Sequence, residues 1–211
     1  MNRQDSIRAR INRDWDGAPY YAQAEAWLGF FWSPEKPVLK YFKRLDLSRT
    51  IELACGHGRH AAQCLDRVGE ITLVDVNESN IAHCRQRFAG DARVRYVVNN
   101  GHDLADCDTG AHTSLYCYDA MVHFELLDVF DYIREMHRVL VPGGLALLHV
   151  SNNMQNPGGF YQQNDRWRNF GSVDVVRHVA DRLDMPCIAH EVFDWGGTPK
   201  VDGLVLLERR P

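Results

Sequence analysis

From about residue 50 onward the apolar positions switch repeatedly between the periods of strand and helix. Residues 50–54 are a short apolar run that ends in the Gly-rich turn Cys55, Gly56, His57 and Gly58. Residues 59–67 are expected to be helical. Residues 71–76 form a β-branched run closed by Asp75, followed by good helix formers over 78–88 and a third strand over 94–98. A fourth strand fits residues 113–118. Residues 128–140 then place Val129, Ile133, Met136 and Leu140 on one helical face.

Pro142, Gly143 and Gly144 have the residue order of a type II turn, and residues 145–150 read as a buried strand. After a long polar stretch, residues 173–183 are helical in pattern. Residues 187–193 and 203–208 are two final strands with only a Gly-Gly-Thr-Pro turn between them, so they should pair antiparallel. Strands separated by helices imply right-handed crossovers and an α/β fold. The expected sheet has seven strands, mostly parallel, with an antiparallel last strand. Residues 1–49 differ from the rest: they are crowded with aromatics and interrupted by Ser33, Pro34, Glu35, Lys36 and Pro37. They read as an N-terminal helical cap belonging to the same domain as the core, residues 50–211. A homodimer contact is the alternative use of their aromatic load.

Composition narrows the class. With 211 residues, 45% hydrophobic and 25% charged, the chain suits one soluble globular domain. The net charge is −4 and no Lys/Arg block is present, which argues against nucleic acid as a partner. No apolar run is long enough to span a bilayer, and residues 1–16 are too polar for a signal peptide. The six cysteines are scattered without zinc spacing and sit mostly in apolar runs, as expected of a cytoplasmic protein.

The run Glu52-Leu53-Ala54-Cys55-Gly56-His57-Gly58, with Asp75 closing the second strand, resembles motif I of the class I (Rossmann-like) S-adenosylmethionine-dependent methyltransferases. Gly56 and Gly58 would let the backbone pass beneath a cofactor with no Cβ in the way. The resemblance implies S-adenosylmethionine as cofactor and Asp75 as the acceptor of both ribose hydroxyls. Glu52 would accept hydrogen bonds from the loop or from the methionine ammonium, and Arg59 could pair with the carboxylate. Ala54, Cys55, Val76, Gly101 and Tyr118 complete this face. Ala54 stands where the family has Gly, and the usual acid near the adenine is replaced by Asn100, with Asp103 as its substitute. The rival is the dinucleotide fingerprint G-x-G-x-x-A, matched from Gly56 to Ala61, which would make the chain a nicotinamide-dependent oxidoreductase. Glu52 early in the turn motif, the Arg138 to Gly144 segment and the terminal strand pair all favour methyl transfer. A non-catalytic cofactor-binding protein is a third reading.

The segment after the fourth strand, residues 116–125, should build the methyl-transfer end. His123 is the first candidate base and His149 the second, with Asp119 orienting a histidine or the cofactor. The plain alternative is that both histidines only cap or finish local structure. Metal assistance through Asp119, His149 and Asn152 or Asn153 is short of carboxylates, so no metal is expected. The long connection over residues 151–171 is rich in Asn and Gln, with Phe160, Tyr161 and Trp167. It suits a small hydroxyl-rich, sugar-like acceptor, and hence O-methylation. N-methylation of a small amine is the alternative.

Overall fold

The computed structural model describes residues 3–210. Four helices precede the sheet: α1 (Arg3–Trp15), α2 (Tyr20–Glu25), α3 (Leu28–Phe31) and α4 (Pro37–Phe42). The rest alternates: β1 (Arg49–Leu53), β2 (Glu70–Asp75), α5 (Glu78–Arg87), β3 (Val94–Val98), β4 (His112–Cys117), α6 (Leu126–Val139), β5 (Leu140–Ser151), α7 (Val173–Arg182), β6 (Cys187–Trp195) and β7 (Thr198–Glu208). The seven strands lie in the order β3-β2-β1-β4-β5-β7-β6. All neighbouring pairs are parallel except those of β7, which runs antiparallel to both β5 and β6. An antiparallel β7 inserted before β6 separates this sheet from the wholly parallel dinucleotide-binding order.

Alternation along the strands divides the core into two layers. Ile51, Leu53, Val74 and Leu115 face α6 and α7, and meet Ile133, Met136, Val176 and Ala180. Ile71, Leu73, Tyr116 and Leu206 face the other way, against Phe42 of α4 and Ile81 of α5. The face of α6 is the one that its sequence spacing indicates, with Val129, Ile133 and Met136 buried. Glu52 points into the second layer from within β1. It is tolerated there because Tyr116, its register partner on β4, donates a hydrogen bond at 3.0 Å.

Residues 59–67 depart from expectation. They form turns and one 3₁₀ segment, Ala61–Gln63, in place of an α-helix. Arg59 and His60 are drawn inward to partners on the cap and on the loop after β4, and these contacts outweigh modest helix propensity. The 142–144 turn survives as a bulge within β5, with Gly143 at φ +77. No described helix is long and apolar enough to cross a membrane.

The chain turns back at β1: β2 and β3 lie on one side of it, β4 and β5 on the other. Such a switch point opens a crevice at the carboxyl ends of the strands, the usual ligand site of open α/β sheets.

Candidate active site

The crevice is a cleft of about 1010 Å³ counting its solvent-open mouth, floored by residues 53–57 and roofed by α1 and α2. Its floor is a strained loop. Ala54 holds φ +56, the left-handed conformation that favours glycine. Gly56 donates its amide to Asp75 Oδ2 at 2.8 Å. Asp75 Oδ1 accepts from the Asn77 amide at 2.9 Å and from Asn80 Nδ2 at 3.1 Å. Burial pushes the Asp75 carboxyl above its ordinary range, and these hydrogen bonds oppose the rise.

Ten of the residues singled out in the sequence line the cleft: Ala54, Cys55, Gly56, Arg59, Asp75, Val76, Gly101, Tyr118, Asp119 and His123. Glu52, Gly58, Asn100, Asp103 and His149 do not. Glu52 is buried beneath the loop, bonded to Tyr116 and the Ala61 amide, and burial pushes its carboxyl up to about 8. It braces the loop from below and does not face an ammonium. Gly58 is needed for packing: at φ +71, a Cβ there would lie 2.6 Å from the Phe88 ring. Asn100 closes its own turn, accepting from the amides of His102 and Asp103 and donating to Asp103 Oδ2. Beside Gly101, the residue of this loop that reaches the cleft is Asn99, whose Nδ2 donates to the Tyr132 hydroxyl at 2.8 Å.

Two buried groups on the wall lack partners. Arg59 is 8% exposed. Its Nη2 donates to Asp119 Oδ2 at 2.5 Å and its Nε to His60 Nε2 at 3.1 Å, while Nη1 has no hydrogen-bond partner. Asn77, two residues past Asp75, is buried with both ends of its amide unpartnered. A buried guanidinium nitrogen requires an acceptor, ideally an anion, and a free amide requires a group that both donates and accepts. A carboxylate and a ribose meet these needs, so the donor set fits S-adenosylmethionine. Asn77 was missed in the sequence. Its only sequence signal was its position directly after the acid-bearing strand end.

The far end of the cleft is aromatic. His123 lies within 5.1 Å of the Trp15 ring and 5.8 Å of the Tyr161 ring, centroid to centroid. Its Nδ1 is 2.6 Å from the Trp167 carbonyl, which fixes Nδ1 as the donor and leaves Nε2 as the basic nitrogen. Burial, reinforced by Arg168, lowers His123 to about 4. Trp15 Nε1 donates to Tyr161 Oη at 3.0 Å, and Tyr161 donates to Asp14 at 2.8 Å.

His149 is fully buried, and both its ring nitrogens are engaged. Nε2 meets Asp202 Oδ2 at 2.8 Å, and Nδ1 accepts the Asp119 amide at 3.2 Å. It therefore has no nitrogen free to act as a base. The Asp119 carboxylate orients no histidine either: it accepts from Arg59 and from the Tyr20 hydroxyl. The amides of residues 151–171 are largely committed within the protein. Asn152 serves the Lys200 carbonyl and the Val173 amide, Asn153 the Arg168 carbonyl, and Asn164 the Arg168 carbonyl as well. From this segment only Tyr161 reaches the cleft. Among the described residues, no group of three or more His, Cys, Asp or Glu side chains could hold a metal ion.

Comparison with known proteins agrees with the cofactor side. Residues 51–144 match the model of the methyltransferase domain family. The putative methyltransferase YqeM of Bacillus subtilis is 20% identical over 143 residues, 63% of this chain, and the match spans 58% of that relative's length. Geranyl diphosphate C-methyltransferase of Streptomyces coelicolor, solved with S-adenosyl-L-homocysteine, superposes with a TM-score of 0.72 at 13% identity, covering 96% of this chain and 97% of that one. Phosphoethanolamine N-methyltransferase 2 of Haemonchus contortus, also solved with S-adenosylhomocysteine, gives 0.72 at 14% identity, covering 97% of this chain and 61% of that one. Residues 51–144 are thus similar to the methyltransferase domain family, and the whole chain shares the fold of these two solved methyltransferases.

Proposed function

We propose that this chain, carrying a methyltransferase domain in the S-adenosylmethionine-dependent fold, transfers a methyl group to a hydroxyl oxygen of a small-molecule acceptor. The observation that carries the choice of oxygen is His123. Its Nδ1–H is tied to the Trp167 carbonyl, and Nε2 is left as a proton acceptor on the cleft wall. Arg59 Nη1 would hold the cofactor carboxylate, while Asp75 and Asn77 would hold the ribose hydroxyls. Bound there, S-adenosylmethionine supplies a methyl group activated by its sulfonium for in-line displacement. His123 Nε2 would take the proton that the acceptor hydroxyl loses as its oxygen gains the methyl group, the methyl–sulfur bond breaking to leave the neutral thioether. The described N-terminal residues, 3–49, act as the cap of the same domain. Trp15 and Tyr20 roof the reacting end and limit its access to water.

A histidine held near 4 is a weak base. It suits an acceptor whose hydroxyl is itself acidic, such as a phenol or an enol, better than a sugar alcohol. The aromatic walls favour the same choice, since a flat acceptor can stack on Trp15 or Tyr161. The sugar reading depended on the amides of residues 151–171, which are spent elsewhere. An amine is the second reading, favoured by the same rings with Asp14 beside them, a setting that also attracts a cation. Turnover of isotopically methyl-labelled S-adenosylmethionine with panels of phenols, sugars and amines tests the assignment. An O-linked label on a phenolic acceptor is the expected product. Label found on nitrogen alone would overturn the choice of oxygen.

A further inference from the structure

Beneath the cleft lies a buried polar chain that performs none of the chemistry above. Asp202, on β7, is fully buried and accepts two hydrogen bonds from Arg168, Nε to Oδ1 at 2.7 Å and Nη2 to Oδ2 at 2.6 Å. Its Oδ2 also meets His149 Nε2 at 2.8 Å. A carboxylate beside Nε2 requires the proton on that nitrogen, so Nδ1 carries the lone pair. That lone pair receives the amide of Asp119, a non-glycine residue at φ +59. The side chain of Asp119 in turn fixes Arg59, whose Nη1 is the unpartnered donor on the cleft wall.

We propose that Asp202 is a positioning residue for the cofactor end of the cleft: it locks the tautomer of His149, and through the Asp119 amide it holds the strained loop that aims Arg59. The proposal rests on the reading that Arg59 receives the cofactor carboxylate. Without the carboxylate at position 202, His149 can place its proton on Nδ1, which would then oppose the Asp119 N–H, donor against donor. The left-handed Asp119 would lose the bond that offsets its strain. Because Arg168 shares the carboxylate, a purely structural role for Asp202 must be separated from this one.

The experiment combines Asp202→Asn, His149→Asn and the double variant, with Arg168→Met as control. Histidine ¹⁵N spectra of the free protein should show His149 protonated on Nε2 in the wild type and in Arg168→Met. In Asp202→Asn the proton should be wholly or partly on Nδ1. Amide exchange at Asp119 should quicken in Asp202→Asn. Affinity for S-adenosylhomocysteine should fall roughly tenfold, the scale of coupling through a packed network. In the His149→Asn background, where an amide oxygen replaces Nδ1 and has no tautomer to lock, Asp202→Asn should cause no further loss. Equal losses in both backgrounds would overturn the proposal, as would an unchanged tautomer in Asp202→Asn or an unchanged affinity despite a shifted tautomer. If the wild type fails to bind S-adenosylhomocysteine, the methyl-donor reading fails, while the tautomer and the Asp119 exchange still decide whether the lock exists.

Discussion

Replacing Arg59 with Met separates what this side chain does for the fold from what it does for the cofactor. Met keeps an unbranched apolar stem but loses the guanidinium, whose carbon lies over the rings of Phe31 and Tyr20 at 4.7 and 5.3 Å from their centroids. It removes the ion pair to Asp119, whose side chain is only 4% exposed. Breaking a buried pair by deleting one partner costs about 3–5 kcal/mol, because the remaining charge is stranded. The Tyr20 hydroxyl still reaches Asp119, so the lower end of that range is expected. Neutralising the stranded charge in Arg59→Met/Asp119→Asn should restore most of that stability. The ligand effect should behave differently. A charge-assisted hydrogen bond to the cofactor carboxylate contributes about 1.5–3 kcal/mol, which is roughly 10- to 150-fold in affinity for S-adenosylhomocysteine. The double variant cannot recover it, since Nη1 is still missing. 5′-Methylthioadenosine lacks the amino-acid portion, and its affinity should change little in either variant. Calorimetry with the two ligands, alongside denaturant unfolding, reads all four quantities. Equal weakening of both ligands would refute the carboxylate assignment.

Asp75→Ala should abolish tight S-adenosylhomocysteine binding and also lower stability. It strands the Gly56 and Asn77 amides and Asn80 Nδ2, at about 1–3 kcal/mol for each donor that finds no water. Calorimetry and unfolding midpoints check both parts. His123→Ala should slow turnover roughly 10²–10⁴-fold with cofactor affinity nearly unchanged. The acid limb of the wild-type rate profile should lie near pH 4, well below the ordinary histidine range, and should vanish in the variant. Glu52→Gln should flatten the pH dependence of stability. The folded carboxyl keeps its proton up to about 8, whereas the unfolded one loses it near 4.5, so wild-type stability falls relative to the variant as pH rises through that window. Ala54→Gly should stabilise by about 0.5–1 kcal/mol. The left-handed strain of Ala54, about 1–2 kcal/mol, is relieved, and the greater freedom of unfolded glycine takes back about 0.4–1. A clearly lower unfolding midpoint would show that the Ala54 methyl packs usefully.

The strands were readable because each carries a local period that survives in the fold: Ile51 and Leu53 face one layer, Tyr116 and Leu206 the other. The motif I loop and Asp75 were readable for the same reason, since strand ends and a glycine turn are local signals. The misassigned side chains had lost that periodicity. In the irregular loop after β3 nothing in the sequence says whether Asn99 or Asn100 turns inward, and the neighbour that decides it is Tyr132, 33 residues away. For Glu52 the sequence left two partners open, the loop and the ammonium; the Ala61 amide and Tyr116, on β4, take it, and Tyr116 could not be seen locally. The failed helix at residues 59–67 has a similar cause, the long-range capture of Arg59 and His60. His149 invited a catalytic reading by its position at the sheet edge. Only Asp202, 53 residues on, shows that its second nitrogen is already used.

Of the residues proposed above for the acceptor end, the Trp and Tyr side chains fall outside the stretch that matches the methyltransferase domain family. That stretch, residues 51–144, holds the glycine loop, Asp75, Asn77, Asp119 and His123. Trp15, Tyr20, Tyr161 and Trp167 all lie beyond it. The names of the two solved structures place transfer on carbon in one and on nitrogen in the other, so the shared sheet does not dictate the accepting atom. Specificity must then reside in what is laid over the sheet. Here that is a roof joined to the core by polar contacts at its cleft edge: Arg10 to Asp128 at 2.8 Å, Tyr20 to Asp119, and Trp15 to Tyr161. The same N-terminal region is anchored farther along by the buried apolar residues Val38, Tyr41 and Phe42 of α4. Asp119 and Asp128 are buried at these contacts, so each pair is costly to break at one partner but can be exchanged as a pair, whereas the buried aromatic packing of α4 is costly to undo. On the function proposed above, the roof is therefore the part of this fold most easily reshaped without loss of the sheet, and it is where a change of substrate would cost the least stability.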